Sequence, residues 1–139
     1  MIGILIVTHG GLASELLAAA RTIAGATPNF EALSLRWDEG FEDARVKIAA
    51  AIARLDHGEG VLVLTDMFGD TPSNAALSLA SPDRVEVLTG VNLPMVVRLG
   101  CETSQGRSLA ELARWIQTKG RLAIRRGDET PGAPGGGGA

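Results

Sequence analysis

The sequence is poor in the residues that several protein classes require. A single cysteine, Cys101, in 139 residues leaves no intrachain disulfide and no cysteine-built zinc site. Positive charge is not in surplus: 13 Lys and Arg stand against 16 Asp and Glu, a net charge of -3. That balance argues against nucleic-acid binding as the main activity. No apolar run is long enough to span a bilayer, and residues 1–10 lack the leading positive charges of a secretion signal. The expected location is therefore the cytoplasm, with no direct membrane insertion. Aromatic residues make up 4% of the chain and tyrosine is absent. The two tryptophans, Trp37 and Trp115, are read as packing residues. Neither a Walker loop nor a dinucleotide fingerprint is present, so no nucleotide cofactor is expected.

What is present suits one packed domain. Hydrophobic residues make up 45% and charged residues 21%, enough for a core at this length. Residues 127–139, GDETPGAPGGGGA, contain no large apolar side chain to offset the entropy of ordering. The expected division is a folded domain over residues 1–126 and a flexible tail over 127–139.

Apolar runs alternate with amphipathic stretches. Residues 2–8 (IGILIVT) and 60–65 (GVLVLT) read as strands buried on both faces. Residues 31–37 and 84–89 read as two further strands. Helices are predicted over 12–25, with Leu12, Leu16, Ala20 and Ile23 inward, and over 41–55, 71–79, 92–99 and 109–119. Residues 121–125 (RLAIR) read as a short final strand. Alternation of this kind predicts an α/β fold: a doubly wound, mostly parallel sheet with helices on both faces. The two most apolar strands should lie side by side at its centre. Ligands of such sheets bind at the carboxyl ends of the strands, where the winding direction reverses.

Two polar segments fall at that rim. His9-Gly10-Gly11 follows the first strand, and Asp66-Met67-Phe68-Gly69-Asp70-Thr71-Pro72 follows the third. Gly10 and Gly11 remove side chains that would block approach to the ring and to the helix amides. Asp66 could accept a hydrogen bond from one imidazole nitrogen, leaving the other free as a nucleophile. Thr71, with Ser73 in the same turn, opens a helix whose positive end suits a phosphoryl group. Each feature alone has an ordinary explanation, as a surface histidine, a turn aspartate or a helix start. Together they describe a histidine that accepts a phosphoryl group. No metal is expected. His57, in the polar turn Asp56-His57-Gly58-Glu59, reads as solvated surface, and Cys101 as a small, at least half-buried residue. The cationic group Arg114, Lys119, Arg121, Arg125 and Arg126 reads as a solvated face able to steer an acidic partner.

Three stretches carry a resemblance: IGILIVTHGGLASELLAAARTIAG at 2–25, GVLVLTDMFGDTPSNAA at 60–76 and TGVNLPMVVRL at 89–99. The chain resembles the mannose-type (mannose–fructose–sorbose) EIIA component of the bacterial phosphoenolpyruvate-dependent sugar phosphotransferase system. The resemblance implies a phosphotransferase acting as a histidine phosphoryl carrier. His9 would receive the group from phospho-HPr and pass it to an EIIB partner on a separate chain. Asp66 would orient the ring, and Thr71 would lie beside the phosphoryl group. The resemblance also implies a homodimer that exchanges the last, antiparallel strand, here residues 121–125. One departure is Asp70, where the family commonly has glycine; it is expected to face solvent or the partner, away from the phosphoryl group. Two other roles use the same site: a solitary regulatory EIIA that signals its phosphorylation state by binding other proteins, and the carrier that serves dihydroxyacetone kinase. A ligand-binding parallel-sheet domain without covalent chemistry is the remaining alternative.

Overall fold

The computed structural model describes residues 1–102 and 106–129. Strands β1 (Gly3–His9), β2 (Phe30–Leu35), β3 (Val61–Thr65) and β4 (Val85–Thr89) form one parallel sheet in the order β2-β1-β3-β4. The two aliphatic strands, β1 and β3, are central, as their composition requires. Five helices accompany them: α1 (Leu12–Ala24), α2 (Phe41–Leu55), α3 (Thr71–Leu77), α4 (Leu93–Cys101) and α5 (Leu109–Leu122).

The pleat divides the core into two layers. Ile4, Ile6, Leu62 and Leu64 face Ala13 and Leu17 of α1, Val96 and Leu99 of α4, and Leu112 and Ile116 of α5. Leu5, Val7, Val61 and Val63 face the other way, against Ala44, Ile48 and Leu55 of α2 and Ala75 and Ala76 of α3. Packing is close where β1 begins. A Cβ on Gly3 would lie 2.8 Å from both Cβ and the carbonyl oxygen of Leu55. Chain order reverses between β1 and β3, so the rim where both strands end is the switch point of the sheet.

Three expectations need correction. Residues 121–125 form no strand: α5 runs through Leu122 and the chain continues irregularly through Arg125. Arg, Leu and Ala are all good helix formers, and a lone terminal strand has no stability without a pairing edge. On α1 the buried residues are Ala13, Leu17 and Ala20, while Leu12 and Ile23 are 48% and 62% exposed. The inward stripe is thus turned by one residue, because small alanines are what fit closest to the sheet. Helix α3 is capped by Asp70, with Thr71 its first residue. Cys101 is exposed, at the last turn of α4. His57 is exposed, as read from its polar turn. Of the proposed tail, residues 127–129 follow a turn in which the Glu129 amide donates to Arg126; residues 130–139 lie outside the described residues. No helix among the described residues is long and apolar enough to cross a membrane.

Candidate phosphoryl-transfer site

Parallel register brings the site together. His9 is the last residue of β1, and Val7 pairs with Thr65, so Asp66 emerges beside it. The His9 amide donates to Asp66 Oδ2 at 3.0 Å, and the ring Nδ1 stands 3.3 Å from the same oxygen. Asp66 Oδ1 accepts from the Met67 amide at 3.0 Å. Both oxygens of the carboxylate are thereby oriented. His9 itself is only 18% exposed. Because Nδ1 faces the acids, Nε2 is the nitrogen left to meet an incoming group.

Asp70 does not point away. Its Oδ1 accepts from the Ser73 amide at 2.9 Å and caps α3. Its Oδ2 is buried, accepts no hydrogen bond, and lies 3.4 Å from His9 Nδ1. The cap fixes the aspartate backbone, and the fork of the side chain then sends the second oxygen to the imidazole. Nδ1 is therefore flanked by two carboxyl groups. Burial lifts Asp70 above the ordinary carboxylate range, and its hydrogen bond with Asp66 adds to that rise. Burial also works to raise Asp66, but the hydrogen bond from Asp70 and the amides of His9 and Met67 outweigh it and hold Asp66 below that range. Of the two, Asp66 therefore ionises first and Asp70 holds its proton to higher pH. Ligand atoms of His9, Asp66 and Asp70 all lie within 4.8 Å of one another, close enough to share a small cation.

The remaining expected residues divide. Thr71 occupies the first position of α3, with Pro72 after it. Ser73 is fully buried; its hydroxyl bonds with Thr65 Oγ1 at 2.6 Å and donates to the Met67 carbonyl. Its amide serves Asp70, so Ser73 braces the loop from inside. Gly10 has φ +56 and donates its amide to Leu35 at 2.7 Å. Gly11 precedes α1 as its N-terminal cap. Asn92 caps α4 by accepting from Met95, and its amide group donates to Gly120 of α5 at 3.2 Å. A groove of about 400 Å³ beside β4 includes Phe68, Asn92, Arg121 and Ile124 but not His9.

Trp37, read from the sequence as a packing residue, lies flat on the histidine. The two ring centroids are 4.7 Å apart and the planes differ by 3°, while the indole is 79% exposed. A signal for this existed: β2 is the other neighbour of β1, and its pairing of His9 with Leu35 puts Trp37 two residues beyond the same rim.

Comparison with known proteins gives a consistent result. Residues 3–117 match the family described as "PTS system fructose IIA component". The chain is 34% identical over 125 residues to the PTS system mannose-specific EIIAB component of Escherichia coli, covering 89% of this chain and 39% of that protein. It thus spans well under half the length of that relative. It is 33% identical over 100 residues to the PTS system fructose-specific EIIA component of Bacillus subtilis, covering 71% of this chain and 68% of that one. A mannose/sorbose-specific IIA subunit from Enterococcus faecalis superposes with a TM-score of 0.81 at 26% identity, covering 93% of this chain and 96% of the subunit.

Proposed function

The chain belongs to the mannose-type EIIA family of phosphotransferase-system components, and from that premise we propose that it carries a phosphoryl group on Nε2 of His9. The donor is phospho-HPr and the acceptor an EIIB. The Nε2 lone pair forms a new N–P bond while the donor's N–P bond breaks and its electron pair returns to the donor imidazole. Throughout, the proton stays on Nδ1 and the acids face it. Such a ring bears positive charge once phosphorylated, and departure of the phosphoryl group returns it to neutral imidazole. Held in this way the protonated ring is a good leaving group, which a carrier that must pass its cargo on requires.

The observation that carries this reading is the contact of Nδ1 with Asp66 Oδ2 at 3.3 Å, because it fixes which nitrogen is offered. The phosphoryl oxygens fall to the hydroxyl and amide of Thr71 and to the amides at the start of α1, where a helix end favours anions. Phosphoryl transfer needs positioning and charge stabilisation more than covalent help. The protein acts in the cytoplasm as a homodimer.

Incubation with phosphoenolpyruvate, enzyme I and HPr should give an acid-labile label that His9→Ala abolishes. Label retained by His9→Ala overturns the proposal. Adding an EIIB or a dihydroxyacetone kinase subunit to the labelled protein identifies the acceptor by which one removes the group.

A further inference from the structure

We infer that Trp37 is a positioning residue that clamps the plane of the His9 imidazole for in-line transfer. The inference rests on the reading of His9 as the carrier and adds a residue that the Asp66–His9 pair does not include.

The need for a clamp follows from the torsions of histidine. Rotation about the bond to the imidazole has a broad, roughly two-fold profile, so the side chain does not set its own ring plane. The carboxyl contacts at Nδ1, 3.3 and 3.4 Å, fix one point on the ring edge and leave the ring able to tilt about it. A flat surface against the face removes that freedom. The indole supplies one, with 3° between the planes. A nitrogen lone pair lies in the ring plane, so a contact on the face leaves the direction of attack at Nε2 uncovered.

The clamp is itself anchored. Trp37 sits in the turn between β2 and α2. Two residues on, Glu39 turns inward with its side chain 2% exposed. It accepts from Lys47 Nζ at 3.0 and 2.9 Å and from the Arg36 amide at 3.3 Å. The Glu39 amide donates back to Arg36 at 3.1 Å. From below, Gly10 leaves room: a Cβ there would stand 3.2 Å from the indole nitrogen. An indole that is 79% exposed gains little from burial, and among the described residues its ring stacks on the reactive residue.

Three variants and two readouts test this. Trp37→Ala removes the clamp, Trp37→Phe keeps a flat face, and both should fold because the side chain is mostly outside. The stack predicts that in the unphosphorylated protein the indole ring current displaces the resonances of the His9 ring protons. Trp37→Ala should return them toward free-imidazole positions; unchanged shifts mean no stack and overturn the inference, whatever the carrier does. The second readout is phosphorylation of His9 by saturating phospho-HPr and by phosphoramidate, a donor with no protein surface. Trp37→Ala should slow both by about threefold to tenfold, the equivalent of one aromatic pair, and Trp37→Phe should restore most of each. A loss seen only with phospho-HPr makes Trp37 a partner contact and overturns the clamp. Equal rates overturn it as well. If wild-type protein takes no label from phospho-HPr but reacts with phosphoramidate, the carrier proposal fails while the clamp is still judged on the small donor. If neither donor labels wild type, both fail. His9→Ala, the third variant, confirms that the label counted is on His9.

Discussion

A single carboxylate oxygen, Asp66 Oδ2, meets His9 twice: at the backbone amide, 3.0 Å away, and at the ring Nδ1, 3.3 Å away. The first contact fixes where β1 ends relative to β3, and the second fixes which way the ring faces. Asp66→Asn keeps the shape and an acceptor for the amide but removes the charge that favours a proton on Nδ1. Phosphoryl uptake from HPr should fall on the order of 10²-fold, the scale of losing a proton-holding group, with the circular dichroism spectrum unchanged. Retention of wild-type rate would make the ring contact incidental.

Asp70 makes a prediction about pH of a less usual sign. Burial and its bond with Asp66 raise its pKa above the ordinary carboxylate value. The native state therefore holds a proton that the unfolded chain gives up earlier. Stability from this group is complete below the unfolded pKa, ~3.9, and is lost as pH rises through the folded value. Asp70→Asn keeps a good N-cap for α3 and has no proton to lose. The variant should melt above wild type near pH 7, and the difference should shrink as pH falls toward 4. A gap that widens toward acid would reverse the assignment of the proton.

Gly3 tests the packing that brings β1 against α2. A Cβ added there would meet the Leu55 carbonyl oxygen and Cβ at 2.8 Å, and a backbone oxygen at the end of α2 cannot swing aside as a flexible side chain could. Gly3→Ala should cost about 1–3 kcal/mol, the usual range for overpacking a core, read as a lower urea midpoint at unchanged slope.

Much of this molecule was legible in its sequence, for physical reasons that also mark where legibility ends. Strands β1 and β3 are aliphatic up to their polar carboxyl ends because both faces are covered, and that pattern made them central neighbours and brought His9 and Asp66 to one rim. The side chains that act across that rim were less visible. Nothing local tells that the second oxygen of a helix-capping Asp70 turns to an imidazole, because the direction follows from the cap and the loop together. Trp37 looked like a core residue because large aromatics usually are, and only the pairing of β1 with β2 places it over His9. Residues 121–125 misled because a short run such as RLAIR suits helix or strand equally, and the preceding turns of α5, already packed through Leu112 and Ile116, carry the helix onward to Leu122.

The loop that carries Trp37 should respond to acid separately from the fold. Glu39 is held below the ordinary glutamate pKa, first by its hydrogen bond with Lys47, with burial opposing and the Arg36 amide assisting. A depressed carboxylate stabilises the native arrangement above its unfolded pKa, ~4.3, and loses that contribution as pH falls through the lower folded value. In a Trp115→Phe background Trp37 is the sole tryptophan, so its emission reports the loop. Emission should hold steady through pH 4.3 and change only below it, while far-UV circular dichroism establishes whether the helices remain. Glu39→Gln leaves the Lys47 ammonium without its charge partner and removes the titrating group. That variant should show the altered emission already at neutral pH and no further step before global unfolding. Coincident wild-type and Glu39→Gln profiles would mean that the ion pair does not govern where Trp37 rests, and the anchoring of the indole over His9 would then have to come from the Gly10 and His9 contacts alone.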